Sequence, residues 1–104
     1  MKLRWLRRAF NELLNHADEI ALVSPRAAIV VTDRLLAAAE ALRDGRATGR
    51  PVGSGIRELR IAGTRLSLFY RINHEAERLE ALHVAQAEEP WPEEGESRRR
   101  PSAA

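Results

Sequence analysis

Residues 55–92 decide the fold, and they read GIRELRIAGTRLSLFYRINHEAERLEALHVAQAEEPWP. Apolar and polar residues alternate here in three runs, at 58–61, 66–72 and 78–84, which is typical of strands with one buried face. The short Ala-Gly-Thr link between the first two runs fits a tight hairpin, because Gly63 can adopt a positive φ. The segment therefore predicts three strands of an antiparallel sheet.

Two helices precede these strands. Apolar residues recur at spacings of three and four over residues 6–21, which indicates one buried helix face, with Glu12 on the outward side. Ser24 and Pro25 predict the start of a second helix, because serine is a good N-cap and proline suits the first helical position. An apolar stripe follows, and Gly45 ends the helix. The pair is expected to form a helical hairpin.

The remaining segments complete the predicted fold. Residues 45–55 (GRATGRPVGSG) contain four glycines and a proline, which predicts a loop. Residues 2–6 predict a short edge strand, and we assign Trp5 and Phe10 to the core. The expected class is α+β: a two-helix hairpin packed on one face of an antiparallel sheet of three to four strands.

Length and composition limit the classes of protein that fit. The chain has 104 residues, which suits one domain over residues 1–92, and the tail 93–104 lacks large apolar residues and is expected to be disordered. The absence of cysteine excludes disulfides and fits a reducing cytoplasm. No apolar run approaches the roughly 20 residues that span a bilayer, and we see no secretion signal. We therefore expect a cytoplasmic protein without a membrane partner.

Positive charge is concentrated in one part of the chain. The formal net charge is only +2, but residues 43–71 hold seven arginines and two acidic residues. Strand arginines can bind carboxylates or phosphates in pairs of hydrogen bonds. The alternative is internal pairing with Glu58 or Glu80. Trp91 could cap the open end of the core or anchor an interface. The candidate target- or partner-binding residues are Arg57, Arg60, Arg65, Arg71 and Trp91.

Catalytic chemistry has a single candidate. His83 could act as a general base near neutral pH, with Glu80 or Tyr70 as its neighbour. The alternative is a hydrogen-bonded packing histidine. The other two histidines, His16 and His74, are expected on the surface. Three scattered histidines share no metal-ligand spacing, so we predict neither a metal site nor a cofactor.

Six short motifs together resemble the ParE branch of the RelE/ParE toxins of bacterial toxin–antitoxin modules. No single motif is specific, but their order and spacing are, and they cover residues 2–92. In chain order they are Trp5-x-Arg7-Arg8-Ala9, Ser24-Pro25-x-Ala27-Ala28, Gly49-Arg50-Pro51, Arg57-Glu58-Leu59, Gly63-Thr64 followed by Phe69-Tyr70-Arg71-Ile72, and Trp91-Pro92.

The resemblance implies a type II, plasmid-stabilisation-type toxin that a ParD-like antitoxin neutralises in a hetero-oligomeric complex. ParE-like members poison DNA gyrase, whereas RelE-like members cut mRNA on the ribosome. RNA cleavage needs a base, an acid and fixed cations. Here Ser67 and His83 stand where those nucleases have arginine, and Gln86 stands where they have histidine. The resemblance therefore favours a non-enzymatic gyrase inhibitor. A ribosome-dependent endoribonuclease and an inactivated relative stay open as alternatives.

The antitoxin is the partner that the resemblance implies most directly. A partly disordered antitoxin can fold along exposed helix faces or add a strand to a sheet edge. We expect it to cover the helical hairpin of residues 6–21 and 25–42 and to reach the arginine-rich surface.

Overall fold

The computed structural model describes residues 1–87, which form two helices and five strands. Trp91 and the tail at 93–104 lie outside the described residues. In chain order the elements are β1 (Lys2–Trp5), α1 (Arg7–Val23), α2 (Pro25–Arg43), β2 (Arg50–Gly53), β3 (Ile56–Arg60), β4 (Leu66–Asn73) and β5 (Arg78–Gln86).

All five strands belong to one mixed sheet in the order β1-β5-β4-β3-β2. The last four strands of the chain pair antiparallel with one another, and the alternating runs predicted the last three of them. The first strand instead runs parallel to β5, with Lys2 opposite Arg78 and Trp5 opposite Ala81. The expected edge strand is therefore present, but the sheet is not purely antiparallel.

The prediction of three to four strands was wrong by one, because residues 45–55 are not all loop. Arg50 and Pro51 pair with Glu58 and Arg57, and the register shifts before Gly53. A proline is tolerated in this position because β2 lies at the edge of the sheet, where one side of the strand needs no donor. The glycines mark the irregular end of β2 and its turn rather than a continuous loop.

The helical hairpin matches its prediction closely. The Ser24 hydroxyl accepts a hydrogen bond of 3.1 Å from the Ala27 backbone N–H, so serine caps α2 as expected. Pro25 is its first residue. The helix ends at Arg43, and Gly45 follows with a φ of 76°, where the backbone leaves the helix.

The core is divided between the two faces of the sheet. The main cluster joins both helices to the sheet and includes Leu13, Leu35 and Leu68, with Trp5 packed against it. The assignment of Phe10 to the core was wrong, since its side chain is 46% exposed. A second cluster contains Ile56, Phe69, Leu82 and Ala85, with Leu6 and Val52 packed against it. Among the described residues, none from α1 or α2 belongs to this second cluster.

No helix within residues 1–87 combines the length and apolar character needed to cross a bilayer.

Candidate functional site

The sheet face that carries Phe69 also carries most of the ionisable residues singled out from the sequence. Side chains alternate along a strand, and cross-strand partners share a face. Glu58 and His83 both pair with Phe69, and Arg71 pairs with Glu80. We call this surface the second face. It comprises Glu58, Arg60, Ser67, Phe69, Arg71, Glu80 and His83.

An irregularity in β5 sets the positions of its polar residues. Tyr70 pairs with Ala81 and Phe69 with His83, so Leu82 has no partner in the ladder. Such a bulge shifts the alternation of side chains by one residue. As a result Glu80 and His83, three residues apart, both lie opposite second-face residues of β4.

Glu80 is the buried centre of a three-residue ion cluster. Its two carboxylate oxygens accept hydrogen bonds of 2.7 Å from Arg71 Nε and Arg78 Nε, and the residue is 1% exposed. Hydrogen bonds from Arg71 and then Arg78 hold the pKa of the Glu80 carboxyl below its ordinary value, against the opposing effect of burial. The sequence-based alternative of an Arg71–Glu80 pair is therefore what the structure contains.

Arg57 and Glu58 have other partners than the sequence suggested. Arg57 Nη1 donates to the Gly49 carbonyl oxygen at 2.8 Å, so it pairs with neither Glu58 nor Glu80. Glu58 instead binds Arg50 through Oε1 at 2.5 Å. Two buried polar atoms of the second face, Glu58 Oε2 and Ser67 Oγ, have no hydrogen-bond partner among the described residues.

His83 is held by α1. Its Nδ1 lies 2.8 and 2.9 Å from the two carboxylate oxygens of Glu12, and its ring centroid lies 5.4 Å from that of Phe69. The suggested neighbours lie elsewhere: Glu80 binds its arginines, and the Tyr70 hydroxyl oxygen accepts a hydrogen bond from Gly49 N–H at 2.7 Å. Nδ1 therefore donates to a carboxylate, which fixes the orientation of the imidazole ring.

Sequence reasoning missed Glu12 and His16, which it placed on the solvent side of α1. Glu12 Oε1 accepts a hydrogen bond of 3.1 Å from Val84 N–H, and His16 Nε2 donates to the Val84 carbonyl oxygen at 3.3 Å. The two residues stand four apart on one helix, so they share a face. That spacing, beside an apolar stripe, was the one signal that could have found them.

Two arginines of the β3–β4 hairpin remain available to a partner. Arg60 and Arg65 flank the hairpin end and are exposed. Within residues 1–87 neither guanidinium group makes a hydrogen bond or ion pair. The candidate arginines thus divide into two that support the fold, Arg57 and Arg71, and two that face solvent.

The helical hairpin exposes large apolar side chains, including those where α1 ends. Leu22 and Val23, at the end of α1, are 87% and 90% exposed. Further large exposed apolar residues on the two helices are Phe10, Leu14, Ile29, Val30 and Leu36. Large apolar side chains exposed in such number on two helices are candidates for an interaction site.

The described residues provide no metal centre. Within residues 1–87, no group of three or more His, Asp or Glu side chains could hold a metal ion.

The fold and site together define a small α+β domain: a helical hairpin on a five-stranded sheet, with Glu80 and His83 of the second face bound by side chains of the same domain. The family model "ParE toxin of type II toxin-antitoxin system, parDE" matches residues 3–91. The chain therefore belongs to the ParE toxin family, and the ParE-branch resemblance is confirmed.

A solved structure, "Chromosomal ParDE TA system from P. aeruginosa", has the same fold. It superposes with a TM-score of 0.72 at 22% identity, over 85% of this chain and 97% of that chain. At this identity the likeness establishes the fold. No curated protein sequence matches the chain significantly.

Proposed function

We propose that this protein inhibits DNA gyrase by binding it, without catalysing a reaction, and that a cognate ParD-like antitoxin neutralises it. One observation carries the proposal: in this member of the ParE toxin family, ionisable side chains of the second face, such as Glu80 and Arg71, bind each other. Its histidine and its central carboxylate are each held by other side chains of the same domain. Both residues are also almost fully buried, so this surface supports recognition rather than proton transfer.

The positions that differ from the nuclease pattern support the same proposal. Ser67 is fully buried, so no cation reaches the second face from that position. His83 is 6% exposed and bonded to Glu12. Gln86 is exposed but has no ionisable proton to transfer. An endoribonuclease would need a base, an acid and a cation around one phosphate.

Arg60 and Arg65 are the proposed contacts with gyrase. Both are exposed and unpaired among the described residues, and guanidinium groups bind carboxylates and phosphates with defined geometry. Arg57 and Arg71 have a structural role instead, because Arg57 bonds to the Gly49 carbonyl oxygen and Arg71 to the Glu80 carboxylate. Trp91 stays a candidate anchor outside the described residues.

The antitoxin is proposed to cover the exposed apolar side of the helical hairpin. An amphipathic helix laid against Leu22, Val23 and Ile29 would remove the most exposed apolar side chains from water. Because gyrase acts in the bacterial cytoplasm, the proposal also places the protein there, in a toxin–antitoxin hetero-oligomer.

A gyrase supercoiling assay with the purified, antitoxin-free protein tests the proposal. We expect loss of supercoiling or trapped cleaved DNA, in proportion to added protein. Arg65→Glu should weaken this inhibition, whereas Arg26→Glu, at another exposed arginine in the first turn of α2, should leave it unchanged. A control reaction with a type I topoisomerase shows whether the effect is specific to gyrase.

Two results would contradict the proposal. The first is unaltered supercoiling at every protein concentration together with cleavage of mRNA in a translation extract, which would identify a ribosome-dependent nuclease. The second is neither activity from a folded protein, which would identify an inactivated relative of the family.

A further inference from the structure

Two cross-strand rows on the β1 side of the sheet carry four cations around one carboxylate. Each row runs from β1 through β5 to β4, and cross-strand partners share a face of the sheet. Both rows lie on the second face, because Glu80 and Arg71 belong to it. We call them the basic rows, and they consist of Arg4, Glu80 and Arg71 in one row and Lys2, Arg78 and Asn73 in the next.

The cations of β1 point away from the helices. Leu3 and Trp5 are half-buried and pack against the main core cluster, which lies on the helix side of the sheet. Because side chains alternate along a strand, Lys2 and Arg4 lie on the opposite face, where both are exposed. Within residues 1–87 neither side chain makes a hydrogen bond or ion pair. Both charges are therefore available to a ligand.

Glu80 holds the other two cations in place. Arg71 and Arg78 each donate from Nε to one of its carboxylate oxygens at 2.7 Å. Their Nη groups make no hydrogen bond within residues 1–87, and the two side chains are 50% and 31% exposed. A buried carboxylate thus orients two guanidinium groups whose terminal N–H donors still face outward. Such preorganised donors lose less conformational entropy when they bind an anion.

The basic rows fit a run of phosphates better than they fit a peptide. Their six positions hold four cations, one carboxylate and one asparagine, so they lack the apolar centre of a protein interface. They also lack an aromatic side chain on which the bases of a single strand would stack. The rows extend about 10 Å across the strands and about 7 Å along them. Duplex DNA carries one charge per about 1.7 Å of its axis, so several phosphates fall within this area.

We propose that the basic rows bind the phosphate backbone of duplex DNA without reading its sequence. The guanidinium groups of Arg4, Arg71 and Arg78 bind phosphate oxygens in pairs of hydrogen bonds, and the Lys2 ammonium adds a point charge. In the proposed function the duplex is the DNA segment that gyrase holds, so the toxin contacts enzyme and DNA together. That identity of the duplex rests on the proposed function, whereas DNA binding itself does not.

Fluorescence anisotropy of a labelled duplex of random sequence, titrated with the antitoxin-free full chain at several salt concentrations, tests the proposal. We expect the logarithm of the association constant to fall linearly with the logarithm of the salt concentration. The slope should be about −3 to −4, since each of four phosphate contacts contributes about −0.9. The double variant K2Q/R4Q should reduce the steepness of this slope by about 2 and weaken binding about tenfold at physiological salt.

Two further variants control for net charge and for misfolding. R26Q/R46Q also removes two exposed arginines, but from the first turn of α2 and the segment after that helix, outside the basic rows. It should bind the duplex within about twofold of the native affinity, because salt screens distant charges. K2R/R4K keeps both charges in β1 and should bind like the native chain. Urea unfolding of all variants shows that they are folded.

A supercoiling assay on the same protein separates DNA binding from the proposed function. If the basic rows bind duplex DNA but gyrase is not inhibited, the proposed function fails and the DNA-binding surface stands. If gyrase is inhibited by a chain that does not bind the duplex even at low salt, the proposed function stands and the DNA-binding surface is overturned.

Three other results would also overturn the DNA-binding surface. The first is an equal loss of affinity in K2Q/R4Q and R26Q/R46Q, which would show a response to net charge alone. The second is tighter binding of polyglutamate than of the duplex, which would assign the basic rows to an acidic protein. The third is tighter binding of single-stranded RNA that depends on Lys2 and Arg4, which would assign them to RNA.

Discussion

At the scale of single residues, Gly45 and Gly63 share a φ of 76° but have different surroundings. A Cβ on Gly45 would meet no atom within 4 Å, whereas a Cβ on Gly63 would lie 1.6 Å from Arg34 Nη1. The positive φ of Gly63 was predicted from the hairpin link, but the approach of Arg34 was not. That arginine bridges α2 to the β3–β4 hairpin through the Ala62 carbonyl.

We predict that Gly63→Ala destabilises the protein more than Gly45→Ala. Each substitution places a Cβ in the left-handed region, which costs about 1–2 kcal/mol. Gly63→Ala also displaces Arg34 and breaks its hydrogen bond, which adds about 1 kcal/mol. Urea unfolding of the single variants and of R34A/G63A checks this. In the Arg34→Ala background the cost of Gly63→Ala should fall to that of Gly45→Ala, and equal costs in both backgrounds would contradict the prediction.

At the scale of elements, α1 completes an edge that the strands leave open. β1 pairs with β5 only as far as Ala81, and beyond it the Val84 backbone bonds to Glu12 and His16. Side chains of α1 thus bind backbone groups of β5 that would otherwise be free to pair with a further strand. This contact also fixes the orientation of α1 on the sheet.

Glu12→Ala should therefore destabilise the fold by about 2 kcal/mol, because it leaves a buried backbone N–H and a buried histidine without their acceptor. Arg8→Ala is the matched control: it removes only the exposed 3.4 Å pair between Arg8 and Glu12, which contributes less than about 1 kcal/mol. Chemical unfolding measures the difference, and hydrogen exchange of the Val84 amide should accelerate in Glu12→Ala alone. Comparable losses in the two variants would show that Glu12 acts only on the surface.

The elements that sequence reasoning found are those whose signals are local. Alternation gave β3 to β5, the Ser24-Pro25 cap gave the start of α2, and both depend on residues close in the chain. The missed features depend on distant partners. β2 needs β3 to pair with it, and Glu12 turns inward because β5 presents Val84 there. Phe10 followed the apolar spacing of α1, but the helix turns its side chain outward.

At the scale of the whole molecule, the stability of the sheet depends on pH through Glu80. Its folded-state pKa lies below the ordinary glutamate value because Arg71 and Arg78 hydrogen-bond the carboxylate. A carboxyl with a lowered pKa stabilises the folded state fully when the pH is above its ordinary pKa. This stabilisation is lost as the pH falls through the lowered, folded-state pKa. Glu80→Gln should therefore be less stable than the native chain at neutral pH, and the difference should shrink on acidification.

Urea unfolding at neutral pH and at about pH 3 tests this dependence. Glu75→Gln, at an exposed carboxylate in the turn before β5, is the control and should follow the native chain at both values. A constant difference between Glu80→Gln and the native chain across this range would show that the ion cluster does not titrate with folding.

At the same scale, two substitutions at His83 test whether the protein acts by binding gyrase or by cleaving RNA. Asparagine places an amide nitrogen near the position of Nδ1, the atom that bonds to Glu12, whereas glutamine extends it toward the position of Nε2. His83→Asn should therefore retain the contact with Glu12 and most of the stability, and His83→Gln should lose both. Neither side chain can act as a general base.

A gyrase-binding toxin should keep arresting growth as His83→Asn, with unchanged inhibition of supercoiling per mole of folded protein. Loss of growth arrest in His83→Asn, in a protein shown by urea unfolding to be as stable as the native chain, would instead assign the imidazole to RNA cleavage.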